Sequence, residues 1–291
     1  MVIRVRGDDF EEVEQGAIGT RLGEGLRDDG PLHPAGRART LEAVREFAER
    51  VRLHEATCCA IATSAMRRAS DAADFAGEVE ATLGVPLRVL GGEEEAACSY
   101  RGATARAPRD GARRAVLDIG GGSTECAVGR DGVLVGAGSV EIGSVRLTER
   151  FPALAGAAPG EPARRAAEEA RAAVRAELGW LTGFVPVAEV RAVAGTPLTL
   201  GAVAFAASVE VVSGRTLTLA AIDALVLRLL DLDLPARKAL PGMLPQRADV
   251  LAGGGIILSE ALSALGVAEA RLESDDLLLG YLLARQSEPT G

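Results

Sequence analysis

The run over residues 115–129, AVLDIGGGSTECAVG, limits the possible folds more than any other stretch of this chain. An apolar segment ends on Asp118, and three glycines (Gly120, Gly121, Gly122) follow. Ser123 and Thr124 then lead into a second apolar segment. Short apolar runs on either side of a Gly-rich turn read as two strands joined by a tight loop. Without a Cβ, glycine lets another group approach the backbone closely. Successive exposed amides then form a nest suited to phosphate oxygens. Asp118, at the strand end, is placed to hold Mg²⁺ directly or through water. The loop lacks the GK[ST] of a Walker A motif, and the strand after it excludes a dinucleotide fingerprint, which needs a helix there. Three glycines with Asp, Ser and Thr exceed what a plain hairpin turn requires.

Two series of elements surround this hairpin. Residues 2–6 alternate as a strand, a turn is expected at Gly7-Asp8-Asp9, and residues 10–16 read as a second strand. Leu41, Val44, Phe47 and Val51 recur at helical spacing within residues 34–54. Strands at 58–62 and 86–90 flank a helix over 71–83 that stops at Gly84. GGEEEAA, from residue 91, opens another helix. The turn-rich APRDGARR at 107–114 is the expected boundary between domains at 1–112 and 113–291. Beyond it come strands at 115–118, 124–128 and 133–138, then a loop at 156–162 and a helix to about residue 181. A strand at 190–194 and a mostly helical last third follow. The two series echo each other, which predicts two α/β domains of related build facing a cleft.

Three further motifs bear on chemistry. In GTPLTLGAVAF, from residue 195, Thr196 is expected to cap a helix with Pro197 in its first turn, just after Gly195. Such a helix start favours anions. In GGEEEAA, acids suit a first helical turn, and one carboxylate there could orient and deprotonate a water. Arg67 and Arg68 in ATSAMRRAS, and Arg21 in TRLGEG, offer guanidinium forks that match phosphate oxygens. Taken singly, each has a plain alternative: a strand–helix junction, a solvated first turn, surface arginines. His33 and His54 lack metal-ligand partners at useful spacing and read as surface residues at the two ends of one helix.

Composition narrows the partners. The formal charge is −9, and residues 1–112 hold 15 basic against 20 acidic side chains, so neither half is a basic module. Nine aromatic residues in 291 argue against stacking on exposed bases. A polyanion must therefore be held by arginines, backbone amides or a metal ion. Lys238 is the lone lysine and asparagine is absent. Both point to GC-rich coding, so the arginine excess alone carries no functional meaning. Cys58, Cys59, Cys98 and Cys126 lack C-x-x-C spacing and are expected as buried, reduced thiols. There is no apolar leader core and no run of eighteen apolar residues. The expectation is a cytoplasmic protein with neither nucleic-acid nor membrane partner.

ATSAMRRAS, GGEEEAACSYRGA, VLDIGGGSTECAVG, SVEIGSVRLTERF and AVAGTPLTLGAVA follow one another along the chain. In order and approximate spacing they resemble the exopolyphosphatase / guanosine pentaphosphate phosphohydrolase (Ppx/GppA) family. LPGMLPQRADVLAGGGIIL and ESDDLLLGYLL extend the resemblance to about residues 2–285. It implies two RNase-H-like α/β domains of the actin-like ATPase and sugar-kinase superfamily, with the active site between them. It also implies Mg²⁺-dependent removal of the terminal phosphate of inorganic polyphosphate. Guanosine pentaphosphate is the alternative substrate, and a non-catalytic polyphosphate or nucleotide sensor is the alternative class.

Under this resemblance Glu95 matches the general base, and Asp118 and Glu125 match the carboxylates associated with metal and water. Gly120, Gly121, Gly122 and Ser123 match a phosphate loop, with Gly195 and Thr196 as a second candidate. Arg67 matches a phosphate-binding arginine, and Arg21 lies in a TRLGEG-like segment. Gly143 and Arg146 belong to a hallmark read as structural. The family's opening strand and D-I-G-x-N-S loop have no counterpart. The resemblance therefore implies a first sheet short of one strand and a phosphate site short of one wall. No metal-phosphohydrolase-like module is expected after residue 285, and a homodimer is left open.

Overall fold

Residues 1–6, 9–26 and 30–286 are described in this computed structural model, so the expected turn at Gly7 and Asp8 lies outside the described residues. Two compact units emerge, Met1–Gly91 and Gly92–Gly291. The division precedes the expected boundary because the helix after Gly91 packs on the second unit's sheet. APRDGARR is only the connection from that helix to the next strand.

In the first unit, strand β1 (Val2–Arg6) pairs antiparallel with β2 (Asp9–Glu14). Helix α1 (Pro34–Leu53) starts with proline in its first turn, where a missing N–H costs nothing. His33 Nδ1 caps this helix by accepting from the Ala35 amide at 3.2 Å. At the other end, His54 Nε2 meets Glu14 Oε2 at 2.6 Å, tying α1 to β2. Strand β3 (Ala60–Ala62), the short helix α2 (Ser64–Arg68) and α3 (Ala72–Leu83) follow. Gly84 ends α3 at φ +73°, a conformation that favours glycine. Strand β4 (Leu87–Val89) then pairs parallel with β3. Phe75 and Val79 of α3 pack with Met66, Leu26 and Leu32 as the small core. Among the described residues the four strands form two separate pairs rather than one sheet.

The second unit begins with α4 (Gly92–Thr104), followed by β5 (Arg113–Ile119), β6 (Thr124–Arg130) and β7 (Val133–Val140). Helices α5 (Ser144–Arg150) and α6 (Glu161–Leu178) lead to β8 (Glu189–Val193) and α7 (Gly195–Phe205). Strand β9 (Thr216–Thr218), α8 (Leu219–Leu230), α9 (Leu234–Lys238), α10 (Leu251–Leu265), β10 (Glu269–Leu272) and α11 (Leu277–Gln286) complete the unit. The sheet order is β7-β6-β5-β8-β10-β9. An antiparallel meander β5–β7 adjoins β8 and β10, which run parallel to β5. This is the RNase-H-like order, with β9 added antiparallel at the edge. β5 is bonded on both sides, a role no described strand plays in the first unit.

Side-chain alternation gives the sheet two faces. Ala115, Leu117 and Ile119 of β5 join Val190 and Ala192 in the large core beneath α6, α7, α8 and α10. Val116 and Ala127 point the other way, against Ala96, Tyr100 and Ala103 of α4. Helix α6 buries Ala163, Ala167, Ala170, Val174 and Leu178, the one-face spacing of an amphipathic helix. Helix α10 is buried almost throughout, and its glycines admit close neighbours. A Cβ on Gly254 would lie 2.2 Å from Thr196 Cγ2, so the start of α7 rests on α10. Arg237 is fully buried and donates to the carbonyls of Leu154 (2.6 Å) and Leu229 (2.8 Å). Burial pushes its pKa down to about 10.

Several sequence expectations shift. Strands β9 and β10 replace part of the helical last third. The helix expected to reach residue 181 ends at Leu178. Cys98 and Cys126 are buried, but Cys59 is exposed. Thr196 does not cap α7: the chain leaves β8 through Ala194 at φ +73°, so the helix starts at Gly195 and Thr196 lies inside it. Its hydroxyl meets Ser144 Oγ at 3.4 Å instead. No described helix is long and apolar enough to cross a membrane.

Candidate active site

Asp118 and Glu125 face each other across the β5–β6 ladder. Period two puts Asp118 on the same face as Val116, towards α4, and Glu125 on the same face as Ala127. Glu95 occupies the first turn of α4 above them, where the helix dipole favours a carboxylate. All three are buried, at 6% (Glu95), 6% (Asp118) and 1% (Glu125) exposure.

Burial raises the Asp118 and Glu125 carboxyls above their ordinary range, and the Glu95 charge adds to both. Asp118 also raises Glu125. Hydroxyls oppose this. Ser99 donates to Asp118 Oδ2 at 2.5 Å, and Ser139 donates to Glu125 Oε1 at 2.7 Å. Ser123, from the glycine loop, lowers Glu125 in the same way. The charged neighbours that raise the pair are thus carboxylates.

The glycine loop is held from behind. The Gly120 amide donates to Ser123 O at 3.1 Å, and Thr124 Oγ1 donates to Ile142 O at 2.6 Å. Amides at the start of α5 donate back to the loop, from Ser144 to Gly120 O (2.9 Å) and from Val145 to Gly121 O (2.9 Å). With those carbonyls taken, the amides of Gly121 and Gly122 donate to no backbone carbonyl among the described residues. They remain available to an anion. A Cβ on Gly143 would lie 2.5 Å from the Gly121 backbone, so this glycine is required for the loop to seat. Arg146 reinforces the seat through its own amide, 3.1 Å from Gly121 O.

At the second loop, Arg247 Nη2 would lie 2.0 Å from a Cβ on Gly195. Its guanidinium therefore rests on the N-terminus of α7. A cation at the positive end of a helix is unfavourable, and an anion there would be matched by both. Arg247 has no local signature in the sequence, because its neighbour Gly195 is 52 residues away.

Glu95, Asp118, Glu125, Gly120, Gly121, Gly122, Ser123, Gly195 and Thr196 all belong to the second unit. Arg67 and Arg21 belong to the first. Arg67 Nη1 donates to Leu90 O at 3.1 Å, and Arg21, at φ +51°, lies 3.7 Å from Glu24. Sequence reasoning missed Ser99, Ser139 and Arg247.

The donor set fits Mg²⁺. Asp118 and Glu125 supply hard carboxyl oxygens, and Mg²⁺ is commonly held by one or two carboxylates together with substrate phosphates and water. Among the described residues no group of three His, Cys, Asp or Glu side chains forms a ready-made cage.

Comparison with known proteins agrees with this architecture. The model of the Ppx/GppA phosphatase family matches residues 1–275. Exopolyphosphatase 2 of Mycobacterium tuberculosis is 33% identical over 282 residues, covering 91% of this chain and 86% of that protein. The crystal structure of an exopolyphosphatase-like protein is 29% identical with a TM-score of 0.85, over 95% of this chain and 92% of the other. An exopolyphosphatase from Cytophaga hutchinsonii shares the fold at 21% identity and TM-score 0.85, over 97% of this chain and 92% of the other.

Proposed function

Because the chain belongs to the Ppx/GppA phosphatase family, we propose that this phosphohydrolase is an exopolyphosphatase that releases the terminal phosphate of inorganic polyphosphate in a Mg²⁺-dependent reaction. The observation that carries this is the burial of Glu95 together with Asp118 and Glu125, beside a loop with free amides. The likeness to Exopolyphosphatase 2 supports the choice of substrate.

Glu95 orients a water and takes its proton as the water oxygen attacks the terminal phosphorus. The bridging P–O bond breaks, giving orthophosphate and a chain shorter by one phosphate. Gly121, Gly122 and Ser123 present donors to the terminal phosphoryl oxygens. Thr196 and Arg247 at the start of α7 grip the chain. Asp118 and Glu125 would hold Mg²⁺, which supplies charge neutralisation on the phosphoryl group when bound.

The test is phosphate release from polyphosphate and from guanosine pentaphosphate, with Mg²⁺ or EDTA, for the wild type and Glu95→Gln. The expected result is Mg²⁺-dependent release from polyphosphate that Glu95→Gln abolishes. Release from guanosine pentaphosphate alone would reassign the substrate. Tight binding without turnover would make the protein a sensor.

A further inference from the structure

Two serines, the buried Ser99 and the half-buried Ser139, touch the carboxylates without a role in the reaction above. Ser99 is 1% exposed and follows Glu95 by one helical turn on α4, so the two residues share a face. Its hydroxyl donates to Asp118 Oδ2 at 2.5 Å. Ser139 stands opposite Glu125 in the β6–β7 register and donates to Glu125 Oε1 at 2.7 Å.

We propose that Ser99 and Ser139 are positioning residues that fix the orientation of the Asp118 and Glu125 carboxylates. The terminal torsions of Asp and Glu have broad minima, so packing alone leaves a carboxylate free to turn. The two carboxyls stand opposite each other on neighbouring strands, so ionising both drives them apart. A hydroxyl on each removes that freedom. Ser99 ties Asp118 to the helix that carries Glu95, which links the proposed base to the proposed metal-binding carboxylate through one turn of α4. Ser139 ties Glu125 to β7. Each carboxylate is thereby referenced to an element other than its own strand.

The kinetic part of the test rests on the hydrolase reading, and the structural part does not. Crystal structures and phosphate-release kinetics would be compared for the wild type, Ser99→Ala, Ser99→Thr, Ser139→Ala and Ser139→Thr. Each Ala variant is expected to lower kcat by about tenfold to a hundredfold, the usual cost of removing an outer partner of a ligand, with KM unchanged. Its Asp118 or Glu125 side chain should adopt a different rotamer over an unmoved backbone. Each Thr variant, which keeps the hydroxyl, should recover both properties. Unaltered rotamers in both Ala variants would overturn the proposal. So would a loss of kcat that follows stability and is not recovered by Thr. If the wild type releases no phosphate, the hydrolase reading fails and the rotamers alone decide.

Discussion

Gly280 of α11 packs against the backbone of Cys98 in α4 so closely that a Cβ on Gly280 would lie 1.8 Å from the Cys98 carbonyl oxygen. Gly102 is the reciprocal contact, its Cβ position 1.9 Å from Asp276 O. Both helices meet through bare backbone, and α4 carries Glu95 and Ser99.

Gly280→Ala tests that crossing. Alanine gains about 1 kcal/mol in helix propensity. The clash is with a backbone carbonyl that cannot rotate away, and overpacking of this kind costs about 3 kcal/mol. A net loss of stability is expected, read as a lower urea midpoint. Loss of activity should accompany it, because α4 must move.

Glu95→Gln keeps the shape of the side chain and removes its basicity. A fall in kcat on the order of 10² to 10⁴ is expected, with little change in KM or in the thermal midpoint. A variant that retains wild-type kcat would remove Glu95 from the reaction.

Stability should depend on pH through the buried pair. Glu125 has a native pKa above its ordinary 4.5, for which burial is the largest cause. The native protein therefore holds a proton there that the unfolded chain has already released. Stability rises with pH only where the unfolded state binds more protons, so this group contributes the opposite slope. Its contribution is full below pH 4.5 and declines as pH climbs towards the raised native value. In EDTA, the urea midpoint of the wild type should fall from pH 5 to pH 8 more steeply than that of Glu125→Gln.

Arg237→Met removes the donor shared by the carbonyls of Leu154 and Leu229, both inside the large unit. Losing the donor to the buried Leu154 carbonyl outweighs the gain from removing a buried cation. A loss of about 3 kcal/mol is expected, measurable by chemical denaturation.

The hairpin around Asp118 was legible in the sequence because strand, loop and acid are contiguous and each follows a local rule. The same holds for the start of α1 at Pro34 and the stop of α3 at Gly84. Strands β9 and β10 were not legible. TLT and EARL are too short to show a period, and they are strands only because β8 offers an edge to β10 and β10 offers one to β9. The division at Gly91 escaped notice for a related reason. What assigns α4 to the second unit is the packing of Ala96, Tyr100 and Ala103 against β5, β6 and β8, which no local composition records. Ser99 and Ser139 lie 19 and 14 residues from the carboxylates they hold, so nothing near them in the sequence marks them.

The split of the first unit's strands into two pairs has a practical side. Four strands in one sheet leave two edges without a strand partner, whereas two separate pairs leave four among the described residues. Each open edge is a template on which another chain can add a strand. What protects β1 and β2 is their charge, with Arg4 and Arg6 both paired to the exposed Glu11. High salt weakens exposed pairs of this kind. Handling the purified protein at low ionic strength should therefore keep it monodisperse, and its small first unit is where clumping would begin.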